Sequence, residues 1–224
     1  MSQTVLSAQG VYKRFGSIQA VDGLSLDLEA GEVLGLLGAN GAGKTTFIRM
    51  LCGLIPQDAG TIQVEGRPGY MCQGFSLIEE LTPEENIRFY GALYGLSRKE
   101  TEDRARDISA RLKLDAYRGR QVKYLPTGWR QALSFCVAIL PEPRVLILDE
   151  PTSGLDSLSR RRLWEMIRER AAQGTGVIVS THYLDEAYYC TRLSLMSAGK
   201  LIASGAPREV AASEEDLLAY FKRI

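Results

Sequence analysis

Histidine is almost missing from this chain of 224 residues, which carries one, and net charge is missing altogether, because 27 basic residues cancel 27 acidic ones. That balance removes the electrostatic argument for a nucleic-acid partner, whose phosphates are usually met by a basic patch. No apolar run approaches the roughly 18 residues that a membrane-spanning helix needs. The start, Met1-Ser2-Gln3-Thr4, lacks the charged-then-apolar order of a secretory leader, which predicts a cytosolic location with any membrane role exercised through a partner. Cysteine is scarce too. Cys52, Cys72, Cys136 and Cys190 are far apart and show no metal-ligand spacing, so they read as reduced, mostly buried thiols. The densest cationic run, Arg160-Arg161-Arg162, opens a segment with Leu163, Ile167 and Ala171 at helical spacing and reads as the solvated face of a helix. With no internal repeat or low-complexity tract, the length suits one α/β domain with a sizeable core.

What the chain does have is a loop built for phosphate. The apolar run Val33-Leu34-Gly35-Leu36-Leu37 enters Gly38-Ala39-Asn40-Gly41-Ala42-Gly43-Lys44-Thr45-Thr46, a full match to strand, G-x-x-x-x-G-K-[ST], helix. Glycines let the backbone turn with its N–H groups inward, and the following helix adds the positive end of its dipole. Lys44 is placed to reach the β and γ phosphates, and Thr45 offers a hydroxyl to Mg²⁺, a hard cation that prefers oxygen. A second run, Val145-Leu146-Ile147-Leu148, ends on Asp149 and Glu150 and reads as a buried parallel strand. Two anions there suit phosphoryl transfer: Asp149 for the Mg²⁺ shell and Glu150 to orient and deprotonate a water.

Alternation over residues 4 to 28 predicts short antiparallel strands, and Thr45 to Leu54 a short helix closed by Pro56. Strands follow at Thr61 to Gly66 and Tyr70 to Gln73. From Leu81 to about Ser134 the pattern is helical, with a start signal at Thr82-Pro83-Glu84-Glu85 and amphipathic stretches over Ile87 to Leu93 and Thr101 to Leu114. Strands are then expected at Val145 to Leu148, Val177 to Ser180, Leu193 to Met196 and Leu201 to Ala203, with a helix from about Ser159 to Ala172. Such alternation means a mainly parallel sheet with ligands at the carboxyl ends of its strands. A tail, Glu214 to Phe221, reads as a helix that either packs on the sheet or continues into a further domain.

In order and spacing these elements resemble the ATP-hydrolysing, nucleotide-binding subunit of ATP-binding cassette (ABC) transporters. The resemblance spans nearly the whole chain: the phosphate loop, Gln73 at a strand end, a helical insertion, Leu125-Pro126-Thr127-Gly128-Trp129, Asp149-Glu150, Ser153-Gly154-Leu155-Asp156, and Thr181-His182. It implies a P-loop NTPase (RecA-like) fold in a single ABC ATP-binding domain, 1–224. Within it, an N-terminal antiparallel β subdomain and the mainly parallel core fill about 1–80 and 136–224, and an α-helical subdomain fills about 81–135. It implies ATP and Mg²⁺ as ligands, transmembrane permease subunits and a second ATP-binding domain as partners, and a place on the cytoplasmic face of the inner or plasma membrane. By position it makes Phe15 the adenine-stacking aromatic, Gln73 a sensor of Mg²⁺ and of the attacking water, and Asp156 a loop residue that reaches across a dimer. His182, the lone histidine, follows an apolar strand and is expected at the same sheet edge as Glu150, where an imidazole holds a γ-phosphate.

The chain departs from the family at its signature, where Leu-Ser-Gly-Gly-Gln is usual. Pro126 replaces the serine and offers neither hydroxyl nor N–H, Thr127 replaces the first glycine, Gly128 is kept, and Trp129 replaces the glutamine. Proline is favoured in a first helical turn, so a helix over 128–140 survives. Such a segment either clamps ATP weakly or relies on the Thr127 hydroxyl. The variant looks like the ATPases of multidrug or polysaccharide export systems. It implies an export motor or, alternatively, a catalytically weak cassette that gates a more active partner.

Overall fold

The computed structural model describes residues 3–74, 76–113, 117 and 119–210. The early alternation produces a hairpin, β1 (Thr4–Phe15) against β2 (Ile18–Glu29). After β3 (Val33–Leu37) and α1 (Lys44–Leu51), the chain returns to lay β4 (Ala59–Val64) on the other edge of β1, completing a three-stranded antiparallel sheet. The continuous apolar runs build a second sheet from β3, β5 (Gly69–Met71), β6 (Val145–Asp149), β7 (Gly176–Thr181), β8 (Arg192–Ser197) and β9 (Lys200–Gly205), in the order β5-β6-β7-β3-β8-β9. Its neighbours are parallel except β8 and β9.

Both faces of that sheet are covered, which is why its central strands need no polar alternation. Val33 and Leu37 of β3, Leu148 of β6 and Val179 of β7 join a core with α4 (Thr127–Ala138) and α5 (Ser157–Ala172). Leu34, Leu36, Ile147 and Ile178 point the other way, to α1 and the antiparallel sheet. Between β5 and β6 lie α2 (Pro83–Leu93), α3 (Arg98–Leu112) and α4. Reciprocal capping boxes start the first two, Thr82 with Glu85 and Ser97 with Glu100. A short α6 (Pro207–Val210) follows β9.

Boundaries moved where local geometry outranked periodicity. α1 stops at Leu51, short of the predicted Leu54, because Gly53 turns left-handed at φ 68° and donates its N–H to the Met50 carbonyl. β5 ends at Met71, so Gln73 lies two residues beyond the strand that was expected to end on it. α4 runs over Thr127–Ala138 where 128–140 was predicted. Leu114 and the tail from Glu214 to Phe221 fall outside the described residues. The four thiols are free, and burial pushes those of Cys52, Cys136 and Cys190 up to about 12.

Candidate functional site at the carboxyl edge of the sheet

Parallel register sets Leu37 of β3 beside Thr181 of β7, and Ser180 of β7 beside Asp149 of β6. The segments leaving these strands therefore meet at one edge: the glycine loop after β3, Glu150 after β6 and His182 after β7. Glu150, 7% exposed, is the hub. Its Oε2 accepts from Gln73 Nε2 at 3.0 Å and lies 3.3 Å from His182 Nδ1, and its Oε1 is 4.0 Å from Lys44 Nζ. Its backbone is left-handed, φ 50°, uncommon for a residue with a side chain. The Glu150 N–H is held at this turn by Ser180, through Oγ at 2.9 Å and the carbonyl at 3.2 Å.

Asp149 is 0% exposed. Its Oδ1 accepts from Ser180 Oγ at 2.6 Å, while its buried Oδ2 has no hydrogen-bond partner among the described residues. An unsatisfied anionic oxygen at this depth is costly unless a cation or its water shell completes it. Among the described residues no group of three or more His, Cys, Asp or Glu could hold a metal. A divalent ion here would therefore draw on phosphate, water and hydroxyl oxygens, the usual habit of Mg²⁺.

The loop has the shape of a cradle. A Cβ added at Gly38 would lie 2.4 Å from the Met196 carbonyl oxygen, and one at Gly43 2.2 Å from that of Ala20, whereas Gly41 has open space around it. Gly43 caps α1 in the left-handed region with no side chain over the first N–H groups. Asn40 and Gly41 are exposed, Ala42 is buried, and Thr45 and Thr46 are half-buried in the first turn. Lys44, 5% exposed, donates to the carbonyls of Gly38 (2.7 Å) and Ala39 (3.2 Å). Burial lowers its pKa, against the pull of Glu150 and Asp149. A ring of amides, one desolvated ammonium and a buried carboxylate fit a polyphosphate with its metal.

Three predicted residues stand apart from the Glu150 cluster. Phe15, 49% exposed, does not pack under the strands; its ring lies 5.5 Å from Lys13 Nζ at the end of β1. Asp156 is exposed and caps α5, its carboxylate oxygens accepting from the backbone N–H (2.9 Å) and Oγ (2.7 Å) of Ser159, bonds that hold its pKa below the ordinary carboxylate range. Gly128 sits in the first turn of α4, where a Cβ would come within 2.5 Å of Ser159 Oγ, so its small size also serves the α4–α5 contact. Pro126 does initiate α4, its carbonyl accepting from the Trp129 N–H at 3.0 Å, and Trp129 packs half-buried at 5.5 Å from the Tyr117 ring.

Sequence reasoning missed Ser180, whose signal was the first hydroxyl after Val177-Ile178-Val179. It also placed Arg160 on a solvated face. Its side chain is instead 22% exposed and paired with Asp185, whereas the 76% exposed Arg161 pairs within its own helix with Glu165.

Residues 21–153 match the family model described as ABC transporter. The chain is 39% identical over 222 residues to the probable multidrug ABC transporter ATP-binding protein YbhF of Escherichia coli K12, covering 94% of this chain but 38% of that protein's length. It is 37% identical to the daunorubicin resistance ATP-binding protein DrrA3 of Streptomyces coeruleorubidus, covering 95% of this chain and 71% of that one. With the Nod factor export ATP-binding protein I of Burkholderia lata it shares 37% identity over 92% of this chain and 72% of the relative. A solved structure described as the ATP binding subunit of an ABC transporter superposes with a TM-score of 0.85 at 28% identity, covering 98% of this chain and 100% of the other.

Proposed function

The chain belongs to the ABC transporter family and has the P-loop fold of its ATP-binding subunits, and from that premise we propose that it is the ATP-hydrolysing motor of a membrane exporter. The observation that carries this reading is the convergence of Gln73, His182 and Lys44 on one buried carboxylate, Glu150. Lys44 exchanges the carbonyls of Gly38 and Ala39 for β- and γ-phosphate oxygens, and the loop amides bind the remainder. Asp149, Thr45 and Gln73 would hold Mg²⁺, which neutralises charge on those oxygens when bound. Glu150 accepts a proton from the water that attacks the γ-phosphorus, and the bond to the bridging oxygen breaks to leave ADP and phosphate. Gln73 orients that water and His182 exchanges its contact with Glu150 for a hydrogen bond to the γ-phosphate, so the protein supplies position and fixed charge with no covalent step.

Gly128, Thr127 and Asp156 share no hydrogen bond or ion pair with this cluster among the described residues, which supports a role toward nucleotide held by a second cassette, with closure of the pair as the power stroke. Phe15 offers an exposed ring for adenine stacking. No helix among the described residues is long and apolar enough to cross a membrane, so the reading assigns the crossing to permease partners and the cassette to the cytoplasmic face. Phe89 and Leu93, 47% and 57% exposed and four residues apart on α2, present one apolar face for such a partner. The relatives' names support export as the direction.

Replacing Glu150 by Gln should leave Mg²⁺·ATP binding within about two-fold while turnover falls at least ~100-fold. Hydrolysis at the native rate would remove Glu150 from the role of base. A second reading, a weak cassette gating a more active partner, rests on Pro126, which gives the start of α4 no side-chain cap. Steady-state hydrolysis with and without partner subunits separates the two.

A further inference from the structure

Behind the site, the loop that carries His182 is held by side chains that the proposed chemistry does not use. Thr181 Oγ1 donates to Glu186 Oε2 at 2.6 Å and accepts from the Tyr183 N–H at 3.0 Å, so the residues on both sides of His182 hang from one hydroxyl. Glu186 is 0% exposed. Its other oxygen, Oε1, is buried with no hydrogen bond among the described residues and faces Arg160 Nε, equally buried and unbonded among them, at 3.7 Å. The Arg160 guanidinium also donates from Nη1 to Asp185 Oδ2 at 3.1 Å and lies 4.5 Å from the Tyr183 ring centroid. That ring is 4.3 Å from the imidazole of His182.

A buried carboxylate is costly unless an opposite charge attends it, so Glu186 needs Arg160. A separation of 3.7 Å is an ion pair but not yet a hydrogen bond; closing it by roughly 0.7 Å would satisfy both orphan atoms. Arg160 lies in the opening turns of α5, and its N–H donates to the carbonyl of Asp156 at 2.9 Å. The strut therefore joins the Ser153–Asp156 loop to the His182 loop.

We infer that Arg160 and Glu186 are positioning residues: together they hold the His182 imidazole against Glu150 and carry displacement of the Asp156 loop to it. The kinetic consequence rests on the ATPase reading above; the structural one does not. His182 is the only histidine, so the imidazole nitrogens of the full chain give one NMR signal set that needs no assignment. At alkaline pH, wild type should show the Nδ1–H tautomer donating to Glu150. Arg160→Met and Glu186→Gln should relax it toward the mixture of a free imidazole. Both should also lower kcat on the order of ten- to a hundred-fold while KM for ATP stays put, whereas Tyr183→Phe, which keeps the ring, should preserve both readouts. If Arg160→Met fails to fold, the nearly isosteric Glu186→Gln carries the test. Folded variants with a wild-type tautomer and kcat, or with a raised KM alone, overturn the inference. A wild-type chain without ATPase activity sinks the hydrolysis reading instead and leaves the imidazole spectrum to decide this one.

Discussion

Ser180→Ala should destabilise the nucleotide-free protein by about 2 kcal/mol, the upper range for one hydrogen bond, because its partner is charged. Ser180 Oγ supplies the 2.6 Å bond to Asp149 Oδ1, and Asp149 Oδ2 has none. Without the hydroxyl, a carboxylate with 0% exposure keeps no hydrogen bond from any described residue. The Glu150 N–H would lose its bond to Oγ but retain the Ser180 carbonyl at 3.2 Å, so the cost concentrates on Asp149. For a domain of this size that corresponds to a Tm lowered by roughly 4–8 °C.

Urea unfolding followed by far-UV circular dichroism measures the change, with an unaltered m value showing that only stability moved. Ser194→Ala is the matched control. Ser194 lies on β8 of the same sheet at 1% exposure, and its Oγ meets the neutral Ser204 Oγ at 3.0 Å. It should cost about 1 kcal/mol or less, since Ser204 keeps the Leu193 carbonyl. If Ser180→Ala costs no more than Ser194→Ala, the carboxylate does not depend on that hydroxyl, and the case for Asp149 as an anion awaiting a metal fails with it.

Phe15→Ala should weaken ATP binding by about 1–3 kcal/mol, the usual worth of base stacking, and Phe15→Tyr should leave it near wild type in a fluorescent-nucleotide titration; equal affinities for all three would place the adenine elsewhere. Gly43→Ala puts a Cβ 2.2 Å from the Ala20 carbonyl oxygen at a φ of 103° and should abolish binding and lower urea stability by well over the ~1–2 kcal/mol that left-handed backbone alone exacts at Gly41→Ala. Burial holds Lys44 below its ordinary 10.5, so the folded chain releases that proton before the unfolded one does. The Lys44 contribution to stability therefore rises as pH climbs through the lowered value to 10.5. The stability of wild type relative to Lys44→Met should climb across that window in urea titrations, and a flat or falling difference would contradict the assigned burial.

Much of the candidate site was legible because its parts announce themselves locally. A run of three to five consecutive apolar residues shows no polar alternation, so β3, β6 and β7 were expected to be central and parallel, and the loops leaving them to share an edge. Gly38 to Thr46, Glu150 and His182 were placed on that logic. Gln73 arrived too, although β5 ends early at Met71, because a short loop suffices to reach Glu150. The illegible contacts are those that register alone creates. Ser180 and Asp149 meet only because β6 and β7 pair in step, and nothing near Gly128 announces that Ser159 will press against it.

Arg160 shows the limit most clearly. Helical periodicity assigns a residue to a face of its own helix, and by that measure three consecutive arginines before Leu163 belong to solvent. What covers that face is decided elsewhere in the chain, by a 3-10 turn at Leu184–Tyr189 that brings Asp185 and Glu186 to the helix. A buried acid paired with a cation fixes that cation's side chain as firmly as an apolar stripe fixes a leucine. The charge of Arg160 is thus spent holding the loop of the lone histidine, and the neighbouring Arg161, three-quarters exposed, is the one that periodicity described correctly.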